Sequence, residues 1–321
     1  TTPIVVPIVA AAGLTIPKTS SRAITSPAGT ADTLEVLTNV VLSKDKLERM
    51  AHEIGGFMVW GGAISLAPAD DKIIAVEHPL NIDAEGQMLA SIMAKKASVG
   101  ATHLLLEIPI DKNGKVANEH KATHLKNQFI TLGNKMGISV TVQITDGSQP
   151  VGNGIGPALE ARDLLWVLLD DRRGPQDLRE KSLLVAGKAL EMGGKAKHGK
   201  GYALAQQILD SGRAYQKFVE MIKAQDGKRI IRAEDVPLSQ LTYHVRAWKP
   251  GRIVEMNNHS IAHIAKNAGA PADPGSGLYL HCHRNDVVKK GDILYTIYAH
   301  NPVELGYAIE TAKKEAGVEI R

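Results

Sequence analysis

A single cysteine, Cys282, occurs among the 321 residues. This excludes a disulfide within the chain and any multi-cysteine metal cluster, and it points to a reducing, cytoplasmic setting. Aromatic residues amount to 4%, too few for the stacking platforms that hold single strands, so no nucleic-acid partner is expected. Charge of one sign is also scarce: 38 Lys+Arg against 34 Asp+Glu leave +4, spread along the chain. That balance suits small anionic ligands and builds no basic tail. Long apolar runs are missing too. The longest, Pro3 to Leu14, contains Pro3, Pro7 and Gly13 and is too short to span a bilayer. It lacks the basic flank of a signal peptide, so no membrane partner is expected. The sequence opens at Thr1 directly in core-like residues, and a fragment of a longer protein is expected.

Hydrophobic residues make up 44% and charged residues 22%, enough for a real core, and the length suits two domains. The first half alternates short apolar runs with amphipathic stretches, as βα units do. Val5–Ala12 reads as a buried helix or a buried strand. Leu14–Pro17 reads as a short strand, Ala31–Leu37 as a helix, and Ser43 as the cap of a further helix stopped at Gly55-Gly56. Phe57–Trp60, His103–Glu107 and Ile138–Ile144 read as strands. Helical periodicity covers Ala84–Ser98, Ala158–Leu169, Leu178–Gly193 and Tyr202–Ala224. Past a charged boundary at Lys223–Asp235, the stretches Leu238–Val254 and Gly275–Ile297 are β-rich, and Pro302–Lys314 is helical. The reading is α/β, with a mixed or parallel sheet flanked by helices over 1–234, followed by a smaller α+β domain over 235–321.

The segment from Lys18 to Thr33 is the most informative. It offers hydroxyls at Thr19, Ser20, Ser21, Thr25, Ser26, Thr30 and Thr33, the guanidinium of Arg22, and Gly29 just before a helix. Hydroxyls and open amides at a helix N-terminus bind phosphate oxygens, and arginine adds a bidentate contact. A solvated loop in which Thr30 only caps the helix fits the composition equally well.

Lys18–Thr33 resembles the signature of the thymidine phosphorylase family, in the subgroup shared with AMP phosphorylases. The likeness continues through Ser65–Asp71, Gly86–Lys96, Thr145–Gly152, Gly156–Glu160 and Gly251–Ala299, so it runs over essentially the whole chain. The resemblance implies an α/β domain followed by an α+β domain of the pyrimidine nucleoside phosphorylase type, with 70–98 belonging to a small helical domain in relatives. It also implies a pentosyltransferase that cleaves a nucleoside N-glycosidic bond with inorganic phosphate as co-substrate and no cofactor or metal. On the same ground Ser20 and Thr30 hold phosphate, and Ser21, Arg22, Ala23, Ile24, Thr25 and Ser26 line the nucleotide site with Thr30. The chemistry fits: an anion held below C1 stabilises an oxocarbenium-like transition state and is also the nucleophile.

On the base side, Ser91 and Lys95 stand four apart on one helix face, and their family counterparts hydrogen-bond the base. Lys115 matches a nucleotide contact. Asp83 matches the proton donor of AMP-cleaving relatives, with Asp70 in reserve. As a helix N-cap, Asp83 would be held ionised, whereas a donor needs the opposite shift.

Two departures stand out. The stretch Ile73–His78 carries no arginine, where thymidine phosphorylases have one against the base, and His78 is the local substitute. The Gly-rich phosphate loop and helical domain that precede this region in relatives are also absent from the sequence, so this exact chain is expected to be catalytically crippled. Thymidine phosphorolysis to thymine and 2-deoxyribose 1-phosphate is one reading. Cleavage of a nucleoside 5′-monophosphate such as AMP, giving ribose 1,5-bisphosphate, is a second, and a catalytically incomplete ligand-binding fragment is a third. The resemblance implies a homodimer for the full-length protein. Elsewhere, His281-Cys282-His283 reads as two histidines on a strand face rather than a metal site. Gly152–Gly156 reads as a turn feeding the next helix.

Overall fold

The computed structural model describes residues 1–63, 85–112, 114–227 and 232–321. The chain divides into two compact units, one formed by Thr1–Trp60 with Ser148–Arg321 and the other by Gly61–Gly147.

In the first unit the apolar run is a helix, α1 (Thr2–Ala11), with eight of its residues from Pro3 to Ala10 buried. It is apolar on every side, as a helix enclosed by a core must be. The strand read at Leu14–Pro17 lies slightly later, as β1 (Ile16–Ser20), and pairs in parallel with β2 (Gly56–Trp60) from Ile16↔Gly56 to Ser20↔Trp60. Between them come α2 (Thr30–Glu35) and α3 (Lys44–Glu53). As the sequence suggested, Ser43 Oγ caps α3 by accepting from the Lys46 amide at 3.4 Å, and Gly55 leaves it with φ +86°.

The outer edge of β2 ends on a side chain rather than a strand. Gln225 is fully buried, accepts from the Met58 amide at 2.9 Å, and donates to the Met58 and Asn39 carbonyls at 2.8 and 3.0 Å. One carboxamide so satisfies both backbone groups of a residue that would otherwise be orphaned in the core.

The helices α6 (Pro157–Leu168), α7 (Gln176–Met192), α8 (Gly201–Asp210) and α9 (Arg213–Ala224) surround α1. The single run read at Tyr202–Ala224 is two helices, because Ser211-Gly212 breaks it with Gly212 at φ +76°.

The C-terminal part of this unit has a core of its own. A four-stranded antiparallel sheet runs in the order β5 (Gly154–Ile155), β8 (Gly277–Leu280), β10 (Ile293–Ala299), β6 (Leu241–Arg246). A three-stranded sheet has the order β11 (Val318–Ile320), β7 (Gly251–Met256), β9 (Val287–Val288). Two helices pack with them, α10 (Asn258–Asn267) and α11 (Pro302–Lys314). The sequence reading assigns nothing to α10. Its signal is Asn257, whose side chain accepts from the His259 and Ser260 amides at 3.0 and 3.1 Å.

The second unit contains α4 (Glu85–Ala97), β3 (His103–Ile110), α5 (Glu119–Met136) and β4 (Ser139–Asp146). β3 and β4 pair in parallel over eight residues with α5 as the crossover, a βαβ unit. The sequence reading also passes over α5. The α/β reading holds: helices accompany parallel strand pairs in both units, and the C-terminal part is α+β. Among the described residues no helix is long and apolar enough to cross a membrane.

Candidate active site

Behind β1 the hydroxyl-rich loop folds back on itself. One oxygen of Asp32, Oδ2, accepts from the amides of both Ala23 and Gly29, at 2.7 and 2.8 Å. The Ala31 amide donates to the Ser21 carbonyl at 3.3 Å. At Gly29 a Cβ would lie 2.6 Å from the Ser21 oxygen and 2.7 Å from the Ala23 nitrogen, so only glycine lets the loop close. These bonds revise the expected cap: Gly29 rather than Thr30 is the N-cap of α2. The amides of Ala23 and Gly29 are committed to Asp32, leaving hydroxyls rather than these amides for an anion.

Arg22 is committed as well. Its Nη2 meets Glu35 Oε1 at 2.7 Å, and its guanidinium lies 4.7 Å from the centre of the Trp60 ring. Any anion drawn to Arg22 would have to compete with Glu35 for this cation. Ser26 Oγ donates to the Ala28 carbonyl at 2.9 Å. Ser20 is buried at 8% exposure, and among the described residues its Oγ has no hydrogen-bond partner. Ser21, Ile24 and Thr25 are exposed, whereas Ala23 is half-buried.

Beside this loop lies a cavity of about 300 Å3. Ser26, Thr30 and Thr33 line it from the loop and α2, Pro150 and Gly154 from the segment before α6, and Glu160 and Asp163 from α6 itself. Glu160 Oε2 accepts from Thr33 Oγ1 at 3.1 Å. Burial pushes its carboxyl up to about 7, against the pull of the hydrogen bonds from Thr33 and the Gly156 amide. Asp163 is 1% exposed, and its Oδ2 takes the amides of Asn153 and Gly154 at 2.7 and 2.6 Å. Among the described residues its Oδ1 is buried without a partner, and burial raises this carboxyl to about 6 despite the two amides. The cavity thus combines neutral hydroxyls with two carboxyl groups that burial moves toward neutrality, Glu160 to about 7 and Asp163 to about 6. When protonated, each donates toward an anion instead of repelling it.

Of the expected phosphate and nucleotide contacts, Ser26 and Thr30 line the cavity, while Ser20, Ser21, Arg22, Ala23, Ile24 and Thr25 belong to the loop next to it. Glu160 and Asp163 were not among the residues picked from the sequence as site residues. Their signal is a pair of acids three apart inside the largely apolar stretch Ala158–Leu168.

In the second unit, Ser91 and Lys95 share a face of α4 as the spacing predicts, with Lys95 Nζ 3.3 Å from Ser91 Oγ. Next to them, burial and the charge of Lys95 lower the pKa of Lys96. Lys115 is exposed, and its carbonyl accepts from Lys121 Nζ at 2.7 Å. Asp70, His78 and Asp83 lie outside the described residues.

The histidines at 281 and 283 diverge. His281 Nε2 meets Thr296 Oγ1 at 2.8 Å, and His283 Nε2 meets Asn153 Oδ1 at 2.8 Å. Among the described residues no group of three His, Cys, Asp or Glu is placed to hold a metal ion.

The model for the glycosyl transferase family a/b domain matches residues 2–215. The chain belongs to this family. Residues 252–319 match the pyrimidine nucleoside phosphorylase C-terminal domain. Relatives of this family member include AMP phosphorylase 1 of Archaeoglobus fulgidus, 50% identical over 99% of the chain and 62% of the relative. The AMP phosphorylase of Pyrococcus furiosus is 50% identical over 99% of the chain and 63% of its own length. A provisionally named thymidine phosphorylase of Legionella pneumophila is 48% identical over all of the chain and 61% of the relative. The chain therefore spans about 62% of the length of the curated relatives it matches. Anthranilate phosphoribosyltransferase from Thermus thermophilus shares the fold, with a TM-score of 0.55 and 18% identity over 70% of this chain and 72% of that one. The family resemblance drawn from the sequence is thus borne out for this chain.

Proposed function

We propose that the protein containing this chain is a pentosyltransferase that cleaves a nucleoside 5′-monophosphate with inorganic phosphate. A phosphate oxygen forms the new bond to C1′ as the bond from C1′ to the base nitrogen breaks. The electron pair leaves with the base, and a proton neutralises it. In this reading Ser20 and Thr30 hold the attacking phosphate. Ser21 to Ser26 embrace the nucleotide, Ser91, Lys95 and Lys115 serve the base and nucleotide, and Asp83, with Asp70 in reserve, supplies the proton.

The observation that carries the reading is the closed hydroxyl loop against a cavity lined by Thr30, Thr33 and Glu160. A donor-rich, pre-organised bend of this kind suits an anion below a sugar that is acquiring positive charge. Two features support a nucleotide rather than a nucleoside: the stretch 73–78 has no arginine, and AMP phosphorylases are among the relatives at 50% identity. Thymidine is the second reading, favoured by the relative named for it at 48% identity.

Phosphate-dependent base release from AMP and from thymidine, measured side by side on the protein that contains this chain, tests both. Release from AMP at least about 100-fold faster in kcat/KM is the expected result. Thr30→Ala should cost about 100-fold in kcat/KM, as removal of one anion-stabilising donor does. Release from thymidine alone would replace the first reading with the second, and release from neither would remove both.

A further inference from the structure

On the C-terminal part of the first unit, a groove of about 590 Å3 separates β6 from the end of α11, a size that suits a small molecule. Its residues take no part in the cavity beside the hydroxyl loop. Val245, Ala312 and Val318 give it an apolar lining. Tyr243 and Trp248 stand in the same lining at 39% and 48% exposure, a large share of aromatic surface left in water for a chain so poor in such residues. Arg246, Lys313 and Lys314 bring three positive charges, and among the described residues no carboxylate lines the groove. Among the described residues none of the three has an ion-pair partner. Arg246 Nη1 donates to the Gly291 carbonyl at 2.9 Å, which fixes the guanidinium and leaves its other donors open. Among the described residues β6 is an edge strand, paired with β10.

Lysines in the last turn of a helix complement its dipole, and that alone would account for Lys313 and Lys314. It does not account for two half-exposed aromatic rings and an arginine lining one groove beside apolar side chains, with no acid among its described lining residues. Inorganic phosphate would use the cations and waste the rings, whereas an uncharged aromatic would do the reverse.

We propose that this groove binds a nucleoside 5′-phosphate, with its base against Trp248 and Tyr243 and its phosphate among Arg246, Lys313 and Lys314. It is a second nucleotide site, separate from the hydroxyl loop. Stacking and cation contacts of this kind reinforce each other where the cations carry no competing carboxylate.

AMP titrated into the full chain, followed by tryptophan fluorescence and calorimetry, tests it. The background is Ser20→Ala/Thr30→Ala, which removes both hydroxyls assigned to phosphate, and the dependence of the signal on Trp248 separates the groove from the loop. Saturable quenching is expected, lost in Trp248→Phe. Lys313→Glu/Lys314→Glu should weaken binding by about tenfold or more. Lys313→Ala/Lys314→Ala, which spares the helix end, should weaken it several-fold with unchanged far-UV dichroism. Adenosine or inorganic phosphate alone should bind at least about tenfold less tightly than AMP. Absence of quenching in this background, indifference to the lysine substitutions, or tighter binding of oligo-dT than of AMP would each overturn the proposal.

Discussion

Asp32 shows how much of the candidate site depends on a residue that contacts no proposed ligand. Its Oδ2 receives the amides of Ala23 and Gly29 and so fixes both ends of the loop that carries the hydroxyls. Asp32→Ala strands both donors, and a cost of about 2–3 kcal/mol in stability is expected. Amide exchange at Ala23 and Gly29 should accelerate ahead of exchange in β1. Asp32→Asn retains an acceptor oxygen and should fall between the two. If exchange at those two amides is unchanged in Asp32→Ala, the loop is held by something else.

Glu160 belongs to the same scale. The unfolded chain releases this proton near 4.5, whereas the folded chain keeps it up to about 7. Across that window the folded state binds more protons, so its stability falls as pH rises. Asp163 adds a contribution of the same sign between 3.8 and about 6. Glu160→Gln removes the ionisable group and should lessen the loss of stability between pH 5 and pH 8 by on the order of 3 kcal/mol at most. Urea unfolding at the two pH values reads this, and parallel pH dependence in variant and wild type would mean that Glu160 ionises as an ordinary exposed carboxylate. Neither acid stood out in the sequence as a site residue. Within a helix, an acid on the buried side differs from one on the wet side only in what packs against it, and α2, which packs against Glu160, arrives from a distant part of the chain. The loop hydroxyls and the Ser91–Lys95 pair were legible because each is local, one a contiguous run and the other a four-residue spacing.

Among the elements, those with a punctuated start and stop were readable. α3 carries Ser43 at one end and Gly55 at the other, and α11 follows Asn301, whose side chain takes the amides of Val303 and Glu304 at 3.1 and 3.0 Å. α5 was missed although Ala122, Leu125, Phe129 and Gly133 form a regular buried stripe. The stripe ends in a glycine, which weighs against a helix by propensity. In the fold that glycine is required, since a Cβ at 133 would lie 2.3 Å from Val140 Cγ2. The same logic joins α7 to α8. A Cβ at Gly187 would meet the Tyr202 nitrogen at 2.5 Å, and one at Gly201 would meet the Gly187 oxygen at 2.0 Å. Both obstacles are backbone, which cannot swing aside. Gly187→Ala gains about 1 kcal/mol in helix propensity and should still destabilise the protein by about 2 kcal/mol through the forced separation of the helices. Thermal melting decides the sign, and an unchanged or higher midpoint would show that the two helices part without cost.

At the scale of the molecule, three separate apolar cores are present among the described residues, and they map unevenly onto the chain. Two belong to the first unit, one around α1 and one in the C-terminal part. The third, built from α4, α5, β3 and β4, lies entirely within the second unit. A sequence read from left to right gives no sign that residues 1–60 rejoin 148–321, because the partner strands and helices are separated by the inserted βαβ unit. The division has an energetic consequence. Phe129 is 3% exposed at the centre of the third core, and Phe129→Ala should cost that unit about 3–5 kcal/mol. Hydrogen exchange should then speed up over 85–147 while α1, α6 and the C-terminal sheets keep their protection, since units with their own cores open on their own. Uniform acceleration across both units would instead mean that the molecule unfolds as one cooperative body, and residues such as Ser91 and Lys95 would then owe their positions to the whole chain rather than to the βαβ unit beneath them.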